Sequence, residues 1–495
     1  MGFRLLVVAA AGLLLAACAV PQARNSGSAE SAAAARFAAL QDSPPELRAF
    51  LEEMPKGGDI HSHLSGTVYA ESFIAWAAED GLCLELASTS LAEPPCSDPE
   101  RPEVADIAFD DVLRAQMIDA WSMRDFVPGA ESGHDHFFAT FGKFGATPDG
   151  REGDMLAEAA ARAAAQNIGY LELMNSMRRA EVSRLARGLD WSGDFAAFRQ
   201  ALLDAGLRDL VPLAVADNDE IEDRRDALLA CGTPRADPGC DVELRYLQQV
   251  IRAFPPQDVF AQILLGFEIA KTDPRVVGLN LVAPEDGPVA LRDYSRHMAM
   301  IGYLKSLMPE MNVTLHAGEL TLGLVDPKEL KFHIREAVEV AGAKRIGHGV
   351  DIAYEDGHEA LLRRMAEEEI LVEIALTSND VILGVSGKEH PFALYRAAGV
   401  PLALATDDEG VSRIDLTHEF QRAAETYDLN YRDLKELARN SLTYSFLAGE
   451  SLWEIEECLA DALSQACAQA LAGSDKAREQ RELERAFAEF ESAFQ

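Results

Sequence analysis

The chain is short of positive charge. Its 495 residues carry 45 Lys and Arg against 82 Asp and Glu, a formal net charge of -37. Phosphate backbones are gripped by clustered basic side chains, so this balance excludes nucleic acid as a partner and suits a neutral or cationic small substrate. An apolar run long enough to span a bilayer is also missing. The N-terminal run Leu5 to Ala17 falls short of the roughly 20 residues that a spanning helix requires. Past the first 45 or so residues there is no low-complexity linker and no obvious short repeat. Cysteine is scarce, seven in all, and its placement is informative.

Arg4 followed by the Leu5–Ala17 run has the anatomy of a secretory signal. Leu15-Ala16-Ala17-Cys18 resembles a bacterial lipobox, which implies removal of residues 1–17 and lipidation of Cys18. Ala19 is not the Asp that favours inner-membrane retention, so the expected location is the outer membrane, facing the periplasm. The alternative is an ordinary signal peptide cut nearby. Residues 18–45 are rich in Ala and Ser, with several Pro, and read as a lipidated tether. The other cysteines, Cys83, Cys96, Cys231, Cys240, Cys458 and Cys467, fall into three close pairs, as an oxidising compartment allows. Pairing between neighbours is one of many possibilities. A single helix holding Cys458 and Cys467 would separate them by ~13 Å, beyond disulfide reach.

With 48% hydrophobic residues, the chain can bury a large core. Eight apolar runs alternate with helical stretches: Gly58–Leu64, Ile168–Met174, Leu210–Ala216, Val276–Val282, Val313–His316, Arg345–Val350, Leu371–Leu376 and Pro401–Thr406. Such runs predict parallel strands covered on both faces, and eight of them predict a closed (β/α)8 TIM barrel over residues 46–450. The spacing predicts a long insertion after strand one, near 66–150, and a second near 217–275. Residues 451–495 read as a C-terminal helical segment.

The strand ends carry the chemistry. Strand one closes on His61-Ser62-His63, strand five on His316-Ala317-Gly318-Glu319, strand six on Gly347-His348-Gly349 and strand eight on Thr406-Asp407-Asp408. Alternate residues of a strand face one side, so His61 and His63 point together. Four of 11 histidines lie where barrel enzymes place their catalytic groups. Three His and one carboxylate suit one zinc ion with a coordination position left open, and the expected ligands are His61, His63, His316 and Asp407. His348 and Asp408 are then free to orient and deprotonate water, whose pKa zinc lowers. Glu319 is placed to donate and shuttle protons. The alternatives are an electrostatic carboxylate at a helix N-terminus for Glu319 and a ligand-orienting role for Asp408. Strand four, Val276 to Val282, has no Lys of the kind that bridges two metals in related hydrolases, which favours a single ion.

These residues resemble the adenosine deaminase family of the amidohydrolase superfamily, over about Met54 to Arg413. The resemblance rests on Met54-Pro55-Lys56 before His61-Ser62-His63-Leu64, on the His316, Arg345–Gly349 and Thr406–Asp408 motifs, and on Thr377-Ser378-Asn379. Phe137-Phe138, Ser378 to Leu383 and His390-Pro391 are most similar to the secreted, growth-factor-related branch. The resemblance implies zinc-dependent hydrolytic deamination at C6 of adenosine or 2'-deoxyadenosine. In that chemistry Glu319 protonates N1, His348 and Asp408 handle the water, and ammonia leaves. Asp408 is also expected near N7. Three positions depart from the family. Ser65 stands where an acidic residue often binds the nucleoside, Ala283 where a Gly offers its N–H to N3, and Glu409 where Pro often follows the paired Asp. Two other readings stay open: deamination of another aminopurine, such as adenine or a modified nucleoside, and a non-catalytic purine-binding lipoprotein.

Overall fold

The computed structural model describes residues 26–147, 150–459 and 461–495. The expected signal sequence and the expected lipidation site at Cys18 lie outside the described residues. No helix among the described residues is long and apolar enough to cross a membrane.

Eight strands form the centre: β1 (Gly57–His63), β2 (Ile168–Asn175), β3 (Glu243–Ile251), β4 (Val276–Val282), β5 (Asn312–Ala317), β6 (Arg345–His348), β7 (Leu371–Ile374) and β8 (Leu402–Leu404). They pair in chain order and all in parallel. A bridge between Ser62 and Asp407 closes the ring from β8 back to β1. Asp407 N–H donates to His61 O, and His63 N–H donates to Asp407 O, both at 3.0 Å. This is the expected (β/α)8 barrel, sealed at three of the expected metal ligands, His61, His63 and Asp407. Residues such as Ile60, Leu279, Leu315, Ile346 and Leu404 are fully buried, as strands of a covered parallel sheet require.

The expected third strand, Leu210–Ala216, is not a strand. Leu207–Leu210 forms a 3-10 turn and Val211–Leu228 a helix with Pro212 in its first turn. Proline suits that position because its missing N–H has no helical partner there. The real third strand is Glu243–Ile251, inside the stretch read as a second insertion. Its polar residues, Arg245, Gln248 and Gln249, hide it from a search for apolar runs. The stretch 217–275 is therefore corrected: its second half is β3 and the Pro256–Ala270 helix, a regular barrel unit. The extra chain lies between β2 and β3, in the helices Arg179–Arg187, Phe195–Asp204 and Val211–Leu228.

The tether reading is also corrected from residue 26 onward. Ser26–Leu40 is a helix whose Ala33, Phe37 and Leu40 are buried. An Ala-rich segment is as good a helix former as a linker, and here apolar anchors decide the outcome. Phe37 packs on Phe50 at 5.6 Å between ring centroids, and Phe50 on Phe490 at 5.1 Å. The C-terminal helix Asp475–Ser492 returns to the barrel, where Glu491 accepts from Lys435 Nζ at 2.6 Å.

The stretch after β1 holds the Ala70–Glu79 helix, a hairpin of Cys83–Glu85 with Ser90–Ala92, and the Gly133–Phe144 helix. Disulfides join Cys83 to Cys96, Cys231 to Cys240 and Cys458 to Cys467. The last pair is possible because two short helices, Glu456–Leu459 and Gln465–Ala470, replace the single helix that would have kept the cysteines apart. Their Cα atoms are 4.6 Å apart.

Candidate active site

At the C-terminal end of the barrel, β1 delivers His61 and His63, β5 delivers His316, and the residues after β8 deliver Asp407 and Asp408. His61 Nε2 and His63 Nε2 lie 3.2 and 3.3 Å from His316 Nε2. The same two nitrogens lie 3.3 and 3.2 Å from Asp407 Oδ1. The four expected ligands are thus brought together, with one donor atom from each within 4.8 Å of all the others.

The far side of each imidazole shows that this convergence suits a cation. His61 Nδ1 meets Glu373 Oε2 at 2.5 Å, His63 Nδ1 meets Gln249 Oε1 at 2.8 Å, and His316 Nδ1 meets Asn280 Oδ1 at 2.9 Å. The Asn280 oxygen also accepts from the His316 backbone N–H at 3.0 Å, which fixes its orientation. With acceptors at all three Nδ1 atoms, the neutral rings carry their protons there and turn their Nε2 lone pairs inward. Asp407 Oδ2 accepts from Ser378 Oγ at 2.7 Å, while Oδ1 is buried without a hydrogen bond to a described residue. Three lone pairs and a carboxylate oxygen facing one point repel one another unless a metal lies between them. The donor set therefore fits a metal ion.

Glycine makes room at two places. A Cβ on Gly347 would sit 2.5 Å from His61 Cε1, and one on Gly66 would sit 1.5 Å from Asp408 Oδ1. The backbone is tense around the site as well. Ala283, His348 and Asp407 adopt positive φ of 83°, 67° and 62°. Left-handed geometry costs a non-glycine residue about 1–3 kcal/mol and tends to collect at functional sites. Ala283 is held there partly by Arg252, whose Nε donates to its carbonyl at 2.9 Å.

Glu319 and His348 flank the ligands, with Glu319 Oε1 3.7 Å from His348 Nε2. Burial, helped by the charges of Asp407 and Glu285, raises the Glu319 carboxyl well above its ordinary range. Burial pushes His348 down to about 4, which keeps it neutral. Burial likewise lifts Asp408 to about 7, against the opposing charge of His63. The site thus sets a carboxyl that holds its proton beyond the ordinary carboxylate range beside a neutral imidazole, an arrangement suited to proton transfer to and from a substrate.

Glu319 and Asp408, with His63, His316 and Asp407, open onto a cavity of about 320 Å³. Ser65, Ala283 and Asp408 all line it, as do Phe138 and Phe141 of the Gly133–Phe144 helix. Among the described residues no Lys or Arg lines it. Glu409 does not reach the cavity. It is buried against Arg162 and Gln166, each at 3.0 Å, which accounts for an acidic residue after the Asp pair.

Sequence reasoning missed Glu373, Gln249 and Asn280, the residues that hold the three imidazoles. For Glu373 and Asn280 a signal was available: each is a lone polar side chain in a buried strand, where it must find a partner. Glu373 is gripped further by Arg345 Nε at 2.5 Å and Thr314 Oγ1 at 2.8 Å. Burial opposes its ionisation, but Arg345 and His61 hold its carboxyl below the ordinary value.

A parallel eight-stranded barrel with a three-histidine, one-aspartate cluster at its C-terminal rim defines the class: a barrel of the metal-dependent hydrolase type. Residues 218–462 match the adenosine deaminase family, and the chain carries an adenosine deaminase family domain. An adenosine deaminase of Clostridium perfringens is 34% identical over 139 residues, covering 28% of this chain and 39% of the relative. One of Shewanella pealeana is 28% identical over 221 residues, covering 44% and 61%. The chain thus spans between about two fifths and three fifths of the length of these relatives. Among solved structures, the N6-methyl-AMP deaminase of Arabidopsis thaliana shares the fold, with a TM-score of 0.52, 21% identity, and 81% and 94% of the two chains covered. The adenine deaminase of Arthrobacter aurescens does so with 0.50, 17%, and 86% and 98%.

Proposed function

We propose that the protein is an exported zinc-dependent deaminase that converts adenosine or 2'-deoxyadenosine to the inosine product and ammonia. The observation that carries this reading is one cluster at the barrel rim in which the His61, His63, His316 and Asp407 donor set meets Glu319 and His348, with Asp408 beside them on the cavity wall. One zinc ion, held by those four ligands, would supply Lewis acidity and lower the pKa of water. The rest falls to the chain's own residues. His348 and Asp408 hold the attacking water and manage its proton. Glu319, kept protonated by its burial, gives a proton to N1 of the purine. Ser65 sits on the wall where the ribose would lie, and the Ala283 N–H serves N3. Asp408 also holds N7.

The absence of Lys and Arg from the lining favours a nucleoside over a nucleotide, because a phosphate needs charge-assisted partners. A second reading, adenine or a modified nucleoside as substrate, is favoured by Ser65, which removes an acidic contact to the sugar. A solved neighbour acts on adenine, and another on N6-methyl-AMP. A non-catalytic purine-binding lipoprotein is disfavoured because every ligand and proton-transfer group is retained. Export, lipidation at Cys18 and placement in the outer membrane rest on the sequence, and the three disulfides support an oxidising compartment. The Phe137-Phe138 helix over the cavity supports kinship with the growth-factor-related branch.

The test is a panel of adenosine, 2'-deoxyadenosine, adenine, AMP and N6-methyl-AMP, followed by ammonia or methylamine release from zinc-loaded protein. Preferred turnover of the two nucleosides is expected. Release from AMP or N6-methyl-AMP alone would overturn the substrate assignment, and no release from any member would overturn the activity.

A further inference from the structure

A buried line of side chains runs from a backbone N–H to the catalytic histidine, and it settles where that histidine keeps its proton. The line begins at Phe392, whose N–H donates to His390 Nδ1 at 3.1 Å. A backbone N–H can only donate, so His390 Nδ1 carries a lone pair. The neutral ring therefore has its hydrogen on Nε2. His390 Nε2 lies 3.0 Å from Asn379 Oδ1, so it donates to that oxygen and the Asn379 amide is oriented. The other end of the amide, Nδ2, is 2.9 Å from His348 Nδ1. An amide N–H₂ has no lone pair to offer, so His348 Nδ1 accepts, and a neutral His348 carries its hydrogen on Nε2. His390, Asn379 and His348 are all buried, so water does not interrupt the line.

We propose that Asn379 and His390 are positioning residues that fix His348 as the Nε2–H tautomer, making it a hydrogen-bond donor toward the reacting oxygen rather than the base. This rests on the deaminase reading of the site and assigns roles within it. His348 Nε2 makes no hydrogen bond to a described residue and lies 3.7 Å from Glu319 Oε1, within the same group as Asp407. A nitrogen that already bears hydrogen cannot take the proton of water, so His348 meets the reacting oxygen as a donor.

Two measurements test this. The first is the ¹⁵N spectrum of zinc-loaded protein labelled in its histidines, with His348 assigned by its loss in His348→Gln. The expected pattern is a protonated Nε2 and a bare Nδ1, and the reverse pattern would overturn the proposal. This readout needs no substrate, so it stands even if the deaminase reading fails. The second compares Asn379→Asp with Asn379→Ala. The isosteric carboxylate accepts at both ends and forces hydrogen onto His348 Nδ1. Holding a catalytic histidine in the wrong tautomer can cost about 10⁴-fold in kcat. Asn379→Asp is therefore expected to lose at least about 10²-fold in kcat, with KM and zinc content little changed, and to be worse than Asn379→Ala, which merely frees the ring. A purely structural role predicts the opposite order, because Ala opens a buried cavity and Asp does not. Turnover by Asn379→Asp equal to or above that of Asn379→Ala would refute the relay.

Discussion

Replacing Glu373 with glutamine removes the grip on one metal ligand while leaving the barrel standing. Glu373 is buried, and its two oxygens serve different masters. Oε2 accepts from His61 Nδ1 at 2.5 Å, while Oε1 accepts from Arg345 Nε at 2.5 Å and Thr314 Oγ1 at 2.8 Å. A glutamine has one oxygen for these donors. Turned toward Arg345, it aims an N–H₂ at the His61 Nδ1–H and pushes the ring out of the tautomer that offers Nε2 to the metal. Turned toward His61, it faces the guanidinium with the amide nitrogen. Loss of such a partner typically weakens metal binding about 10–100-fold, or about 1.4–2.7 kcal/mol. The fold is spared because Arg345 keeps Glu172 at 2.6 Å. The ~3–5 kcal/mol lost when a buried ion is left wholly unpaired does not apply in full. Competition for zinc against a chelator of known affinity gives the first number, and thermal unfolding of the metal-free protein gives the second. Zinc affinity within twofold of the parent would refute the argument that Glu373 holds His61 in its ligating form.

Other positions make separate predictions. His63→Ala is expected to leave the protein folded but short of zinc, and a normal zinc content by elemental analysis would remove His63 from the ligand set. Ala283→Gly relieves a positive φ and should stabilise the protein by about 0.5–1 kcal/mol in denaturant titration; a loss of stability would show that the Ala283 backbone is unstrained. Replacing Cys458 and Cys467 with serine should cost about 2–3 kcal/mol of stability under oxidising conditions and nothing under reducing ones. His134 Nε2 pairs with Asp286 Oδ1 at 3.0 Å, linking the helix over the cavity to the loop after β4, and this hydrogen bond raises His134 to about 9. A His pKa raised on folding gives stability that is complete below about pH 6.5 and lost as pH climbs through the folded value. The stability difference between the parent and His134→Gln should therefore vanish above about pH 9, and a difference that persists there would exclude the ion pair as its source.

The parts of this molecule that could be read from sequence are those where function forces particular residues into short motifs. His61-Ser62-His63 and Thr406-Asp407-Asp408 announce themselves because a metal site needs several ligands at strand ends, and local spacing places them there. Seven of the eight strands were legible because buried parallel strands are nearly uniformly apolar. β3 was not, because its lumen side serves the site: Gln249 is there to hold His63. The Leu210–Ala216 run misled for the complementary reason. Short apolar segments do not distinguish strand from helix, and Pro212 starts a helix as readily as it ends a strand. The anchors Glu373 and Asn280 lie 312 and 36 residues from the histidines they hold, so no local pattern connects them. The N-terminal helix was invisible because part of its packing, against Tyr431, comes from distant chain. The Cys458–Cys467 bridge depends on a helix break that composition does not reveal.

The most direct test of the account is ammonia release from adenosine by zinc-loaded protein, measured beside Glu319→Gln carrying the same zinc. The account predicts turnover by the parent and a fall of about 10²–10⁴-fold in the variant at unchanged zinc content, since Glu319 supplies the proton for N1. Turnover by Glu319→Gln at the parent's rate, or none by the zinc-loaded parent, would contradict it.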